Sequence, residues 1–393
     1  MPMPAELKPA PCHVLMTADA VGGVWNYALD LTRGLWNQNV FVTLAVLGPG
    51  PSHAQRCEAR RMAGLELIET GLALDWLAET EAQVKEAADG LSRIVQETGA
   101  NVVQLNGSPL AGLAAFPVPL VGMHHSCLAT WWAAVKRKPL RRDWRWRRDL
   151  VRRHLASVDR VVVPSAAFAD MVTETYGPAE RPFVVHNARS PSASLAQVDG
   201  QGEALLTAGR LWDEGKDIET LDRAAERLDV PVFAAGPLRG PNGARIDCSH
   251  LRLLGELASE EMRARLAARP IFASTSVYEP FGLAVLEAAQ AGCALLLSDI
   301  PTFRELWEGA ALFVPPRDHR EFAAAAQRVL SEPVLRGKLG EAARERAKRY
   351  SVDRMARAMA SLYAALTQDK RVARRETFAA SDPHSTLSEG APA

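Results

Sequence analysis

IFASTSVYEPFGLAVLEAAQAGCALLL, residues 271–297, holds one complete strand–helix–strand unit. Residues 271–273 and 294–297 are short apolar runs of strand length. Between them a loop carrying Pro280 runs to Gly282, which opens a helix over residues 282–291. Strands joined in this way lie parallel, because the connection must cross over the sheet. The alternation continues upstream, with strands at 204–207, 232–235 and 251–254 and helices at 218–228 and 260–268. Before it stands a separate series, with strands at 13–16, 40–46, 102–105, 120–123 and 161–163 and helices at 24–36 and 77–95. Residues 187–202, rich in Ser, Ala and Pro, read as the linker between the two series. The chain is therefore α/β, with two successive Rossmann-like domains over 1–188 and 189–350. Ser351 is placed to cap a helix over about 351–368, with an apolar stripe through Met355, Met359, Leu362 and Leu366. Residues 371–393 combine Ser, Ala, Thr, Pro and charge, and are expected to be a disordered tail.

Composition excludes several classes. The 393 residues are 48% hydrophobic and 23% charged, the balance of a soluble globular chain. Lys plus Arg equals Asp plus Glu, 46 each, so no net charge argues for nucleic acid. Cys12, Cys57, Cys127, Cys248 and Cys293 form no C-x-x-C pair and read as free thiols in a reducing compartment. The first residues carry no apolar core of a signal peptide. The longest apolar stretch, 110–123, is broken by Pro117 and Pro119 and is too short to span a bilayer. A cytoplasmic location is expected, with contact to the inner face of a membrane left open.

In doubly wound sheets, ligands bind beyond the carboxyl ends of the strands. With two such domains the natural site is the cleft between them. Four strand ends carry residues that suit it. Gly22 and Gly23 follow the first strand and open a helix, where backbone N–H groups attract phosphate; a plain tight turn would need the same glycines. A full G-x-G-x-x-G is absent, which argues against a dinucleotide dehydrogenase. His124 and His125 end another strand, and one of them, His125 by preference, suits a polar ligand contact; a satisfied loop histidine is the plainer alternative. Arg210 and Lys216 follow the first strand of the second domain and can both reach one diphosphate, Arg as a planar fork and Lys as a point charge, unless both are solvated surface charges. Glu279 sits in the loop before the helix start at Gly282, and Glu287 in that helix among apolar neighbours. A carboxylate on an apolar stretch must be paired or bound. Together the two acids suit sugar and nucleotide hydroxyls, or an internal ion pair.

A fifth feature lies between Trp131 and Arg153. Lys136, Arg137, Lys138, Arg141, Arg142, Arg145, Arg147, Arg148 and Arg152 interleave with Trp132, Trp144 and Trp146. The stretch suits an anionic acceptor or a membrane surface. Leu140, Trp144, Val151, Leu155 and Val158 equally suit a helix packed on its own domain with a solvated basic face. The chain has no Asp-x-Asp pair of the kind that holds a metal ion beside a diphosphate.

These residues together resemble glycosyltransferase family 4, which has the GT-B fold, over roughly residues 14–366. The most specific part is E-x7-E from Glu279 to Glu287 with Pro280, Phe281 and Gly282 inside it. Ala291–Gly292, Asp299–Ile300–Pro301, Glu305–Leu306 and 313–316 (FVPP) continue the pattern, and the Gly22–Gly23 loop and the Arg210/Lys216 pair match it. The resemblance implies that Glu279 contacts a hydroxyl of the transferred sugar, with the backbone of Phe281, Gly282 and Leu283 completing that pocket. Glu287 would hold the ribose. Arg210 and Lys216 would bind the diphosphate, with Gly22 and Gly23 on its far side and His125 near the sugar. The terminal helix would cross back onto the first domain. The implied activity is retaining transfer of a hexose from a nucleotide-diphosphate sugar, without metal or other cofactor, to an acceptor the sequence does not name. Cell-surface glycan and glycolipid acceptors are among those open. A sugar-nucleotide epimerase of the same fold and a non-catalytic sugar-nucleotide-binding protein are the competing readings. Oligomeric state is not legible.

Overall fold

The structure is a computed structural model that describes residues 12–107, 109–190 and 203–380, with side chains described as far as residue 368. Residues 191–202 of the expected linker and 381–393 of the expected tail lie outside the described residues.

Two parallel sheets form the molecule. The first comprises β1 (Cys12–Asp19), β2 (Val40–Leu47), β3 (Leu65–Glu69), β4 (Val102–Asn106), β5 (Leu120–Met123), β6 (Arg160–Val163) and β7 (Phe183–Val184), in the order β3-β2-β1-β4-β5-β6-β7. The second comprises β8 (Leu205–Ala208), β9 (Val232–Ala235), β10 (Arg252–Gly255), β11 (Ile271–Ser274), β12 (Leu295–Ser298) and β13 (Leu312–Val314), in the order β10-β9-β8-β11-β12-β13. Each sheet reverses direction beside its first strand, β1 against β4 and β8 against β11. Those reversals open the crevices in which doubly wound folds hold ligands. β1 and β2 pair from Cys12↔Val40 to Asp19↔Leu47. Val14, Leu15 and Met16 are wholly buried, as strands covered on both faces require.

The helix Gly23–Trp36 follows β1 and buries Trp25, Tyr27, Ala28, Leu31 and Leu35 on one side. The last described helix, Val352–Ala380, lays Met355, Ala356, Met359, Tyr363 and Leu366 into that same core of the first sheet. The two helices touch at Gly34. A Cβ there would come within 2.5 Å of the Ala356 Cβ and 2.9 Å of Val352 Cγ1, so only glycine lets them approach this closely. Ser351 receives the Arg354 N–H at 3.4 Å, a weak cap at the start of the helix. The helix runs past residue 368 to Ala380, so residues 371–380 are helical where disorder was expected. Residues 369–380 contain Lys, Arg, Glu and Ala but no Gly or Pro, so nothing in that segment breaks the helix. Among the described residues, no helix is long and apolar enough to cross a membrane.

Candidate functional site

The carboxyl ends of the two sheets face each other, and the residues singled out there meet across the gap. Gly22 caps the helix Gly23–Trp36 with no side-chain hydrogen bond, and the first turn holds no acid. Gly282, at φ +93°, caps the helix Leu283–Ala291 in the same bare way. That backbone conformation is one that side chains resist, so glycine is needed for the chain to turn from the loop into the helix. The two bare helix starts are neighbours. A Cβ on Gly23 would lie 3.4 Å from Leu283 Cδ1, and one on Gly22 would lie 3.7 Å from an Arg210 guanidinium nitrogen. Each start presents unpaired backbone N–H groups and the positive end of a helix dipole.

Lys216 makes an ion pair with Glu279, both side chains largely buried. Arg210 Nη2 donates to Asp213 Oδ2 at 2.9 Å, and its guanidinium lies 5.7 Å from the centre of the Trp212 ring. Asp19 stands at the end of β1 with its Oδ1 accepting the Val21 N–H at 2.9 Å. Burial pushes its carboxyl above the usual range, against the pull of Arg210 and of the local N–H groups. The site thus collects two cations, two helix starts and three carboxylates around one gap. Such a set can neutralise a diphosphate and grip hydroxyls beside it.

The histidine pair is resolved. His124 is buried and stacked on Phe168, with centroids 5.7 Å apart. His125 is the more open ring; it meets Tyr27 edge-on at 4.5 Å, and its Nε2 lies 3.3 Å from Asn106 Oδ1. Burial, with a smaller push from His124, lowers the His125 pKa to about 3, so the ring is neutral at physiological pH. Asn106 ends β4 and is tied by its amide nitrogen to the Thr17 carbonyl at 2.7 Å and by its oxygen to Gln104 Nε2 at 2.9 Å. Gln104 in turn receives the Tyr363 hydroxyl from the last helix. A buried polar chain therefore runs from that helix to His125.

Glu287 does not stand alone. Its Oε1 accepts Arg189 Nε at 2.5 Å, and Arg189 Nη1 donates to Asp30 Oδ2 at 2.6 Å. Arg189 follows the last strand of the first domain and so ties a helix of each domain to the connection between them. Phe281 is buried beneath the loop, against Tyr350 at 5.6 Å between centroids. Three further contacts join the domains. Tyr278 OH reaches Ser126 and Thr130 at 3.0 and 2.9 Å. The carboxylate of Glu305 accepts the N–H groups of Ala166 and Ala167 at 2.9 and 2.7 Å, filling the start of the helix Ala166–Tyr176. Ser165 Oγ donates to the Pro280 carbonyl at 2.7 Å.

The basic, aromatic stretch divides. Trp131 and Lys136 turn to the second domain, the indole N–H donating to Asp213 Oδ1 at 2.8 Å and the ammonium pairing with Glu214. Arg147 donates to the carbonyls of Asp75 and Ala78, Arg148 and Arg152 pair with Asp149, and Arg153 pairs with Glu81. Much of its charge is thus spent inside the protein. The sequence reading missed Asp30, Asn106, Trp131, Arg189 and Asp213 as site-building residues. Asn106 alone carried a usable signal, as a polar residue ending an apolar strand.

The family model described as Glycosyltransferase Family 4 matches residues 21–192, and the model described as Glycosyl transferases group 1 matches residues 243–346. The chain belongs to glycosyltransferase family 4. Among curated proteins, this family 4 chain is 31% identical to the glycogen synthase of Mycobacterium tuberculosis over 232 residues, 54% of this chain and 56% of that protein. It is 30% identical to the phosphatidyl-myo-inositol mannosyltransferase of the same organism over 179 residues, 40% of this chain and 47% of that protein. The chain thus matches about half the length of these relatives. Among solved structures it is similar to sucrose-phosphate synthase from Thermosynechococcus elongatus, with TM-score 0.69 and 20% identity over 94% of this chain and all of that one. It is also similar to the Anabaena protein HepE in complex with UDP-glucose, with TM-score 0.69 and 17% identity over 90% of this chain and all of that one. These likenesses and the paired parallel sheets make the fold GT-B.

Proposed function

We propose that this family 4 chain is a retaining glycosyltransferase that moves a hexose from a nucleotide-diphosphate sugar to an acceptor. The observation that carries the reading is the meeting of two uncapped helix starts, at Gly23 and Leu283, beside Arg210 and the Lys216–Glu279 pair. In the proposed reaction, Arg210, Lys216 and the helix starts stabilise the charge that grows on the departing diphosphate, which is the main electrostatic demand of the step and asks for no metal. Glu279 holds a sugar hydroxyl, and the backbone from Phe281 to Leu283 lines the same pocket. Glu287 holds the ribose, sharing its carboxylate with Arg189. Neutral His125, fixed by Asn106, offers a hydrogen bond to the sugar. The acceptor attacks from the face the leaving group vacates, and the departing phosphate takes its proton, so configuration is retained. The UDP-glucose bound by HepE makes UDP-glucose the first donor to try.

The acceptor enters from the side of the first domain. Glycogen synthase and the phosphatidyl-myo-inositol mannosyltransferase, named for a polysaccharide and a lipid, frame the choice as polymer or glycolipid. A cytoplasmic enzyme touching the inner membrane face through residues 137–153 fits the second. The decisive experiment is a thermal-shift screen of UDP, GDP and ADP and their sugars, followed by turnover with whichever donor stabilises the chain. A ligand of the native state raises its apparent stability by about 2.7 kcal/mol at a hundredfold excess over its Kd. Arg210→Ala is expected to cost roughly a hundredfold in turnover or more, with the melting temperature little changed. Binding without turnover over a broad acceptor panel would make the protein a sensor, and conversion of the sugar nucleotide to its epimer would make it an isomerase.

A further inference from the structure

Asp213 organises both cations of the diphosphate clamp. Its Oδ2 accepts Arg210 Nη2 at 2.9 Å, its Oδ1 accepts the Gly215 N–H at 2.9 Å, and its carbonyl accepts the Lys216 N–H at 2.8 Å. It is almost fully buried, and its bonding is completed from the other domain: Trp131 Nε1 donates to Oδ1 at 2.8 Å. The fit is close. A Cβ on Gly215 would lie 3.0 Å from Trp131 Nε1 and 3.1 Å from Asp213 Oδ1, so a side chain there would press on the contact. Burial works against the Asp213 charge, yet Arg210, the Gly215 N–H and the Trp131 indole hold its pKa below the usual range.

We propose that Trp131 is a positioning residue, which locks Asp213, and through it Arg210 and the turn bearing Lys216, into the diphosphate-binding geometry only when the two domains are together. The inference rests on the reading of Arg210 and Lys216 as the diphosphate clamp. Parted domains leave Asp213 without its indole donor, its Oδ1 held by the Gly215 N–H alone and Arg210 gripped by a less firmly fixed carboxylate. Closed domains fix both. Chemistry then waits on closure, while a nucleotide still binds the open second domain. Trp131 itself touches no substrate in this scheme.

The test uses the full chain with whichever of UDP, GDP and ADP binds, and the turnover of that nucleotide's glucose or mannose sugar, read as nucleotide diphosphate released. Trp131→Phe keeps the ring and loses only the N–H. Loss of one hydrogen bond to a buried charge is expected to lower kcat by roughly 10- to 100-fold. Nucleotide affinity should change less than about threefold, since the open form makes that contact without Trp131. Asp213→Asn should lower kcat at least as far, and the double variant should fall no further than Asp213→Asn alone, because the two act through one bond. Arg317→Ala removes a different cross-domain bond, to the Val135 carbonyl at 2.8 Å, and should leave kcat within about twofold. The proposal is overturned if Trp131→Phe turns over like the parent while Arg210→Ala is inactive. It is equally overturned if the Trp131 and Asp213 losses add, or if Arg317→Ala matches Trp131→Phe, since Trp131 is then only glue between domains. Should Arg210→Ala itself keep full turnover, the diphosphate clamp is misassigned, and the underlying reading fails with it.

Discussion

His125, half-buried, and His154, buried, are two imidazoles held as neutral rings. His154 Nδ1 accepts the Ala111 N–H at 3.3 Å, which only the unprotonated ring can do. Burial, with a push from His124, lowers both pKa values from the ordinary 6.5 to about 3. Between these values the unfolded chain takes up protons that the folded chain refuses. Their contribution is therefore intact above about pH 6.5 and is lost as pH falls toward 3, at about 1.4 kcal/mol per unit per group. Urea midpoints at pH 7.5, 6.5 and 5.5 should decline faster for the parent chain than for His154→Asn; parallel declines would mean that His154 is protonated in the fold. At this scale the sequence was readable where a residue lies in the loop after a strand, as Gly22, His125, Arg210 and Glu279 do. It was unreadable where the partner lies far along the chain. Trp131 meets Asp213 across 82 positions, and Arg189 meets Glu287 across 98. Nothing in local periodicity encodes either meeting.

Whole elements divide along a simple line. The strands that went unseen, β3, β7 and β13, all lie at sheet edges. An interior parallel strand is covered on both faces and shows itself as an apolar run, whereas an edge strand need not. β3 reads Leu-Glu-Leu-Ile-Glu and has no fully buried residue, and β7 is two residues long. The helices named from the sequence begin within a few residues of their observed starts, because their stripes face a core, but the last runs on to Ala380, and helices such as Ala166–Tyr176, His319–Ser331 and Pro333–Ala347 went unnamed. Gly34 is the exception in kind: a glycine inside a helix looks like a weakness, and its reason lies on another helix. Gly34→Ala should gain about 1 kcal/mol of helix propensity and lose about 1–3 kcal/mol to overpacking against Ala356. A net loss in urea unfolding is expected, relieved by Ala356→Gly. An unchanged or higher midpoint for the single variant would mean that the two helices simply part.

Across the whole molecule, the domains are joined on several sides of the cleft. Arg189 holds the nearly inaccessible Asp30 and the half-open Glu287 at once, beside Ser190, which also bonds Asp30. If Glu287 is the ribose contact, Arg189 sets where that carboxylate points. Arg189→Ala should then raise the KM for donor by roughly tenfold and lower stability by about 2 kcal/mol, since Asp30 loses a charged partner. Arg189→Lys, which keeps the charge but not the planar fork, should recover stability more than KM. Donor kinetics beside urea unfolding separate the two effects, and equal recovery of both would reduce Arg189 to a structural tie. The two Rossmann-like halves were legible from the paired alternation of strand and helix, and the GT-B outline from the family resemblance. These cross-domain ties were not, since they arise only once both halves are folded.

The helix that begins at Val352 has a consequence for how the protein comes into being. The core of the first sheet includes Val14 and Tyr363, so it cannot be finished until nearly the whole chain exists. During synthesis the amino-terminal half leaves the ribosome with the apolar side of the helix Gly23–Trp36 uncovered. The second half, by contrast, holds its own sheet in one continuous run from Leu205 to Val314. The later-made half thus carries every strand of its own sheet, whereas the earlier-made half waits for the helix from Val352 to complete its core.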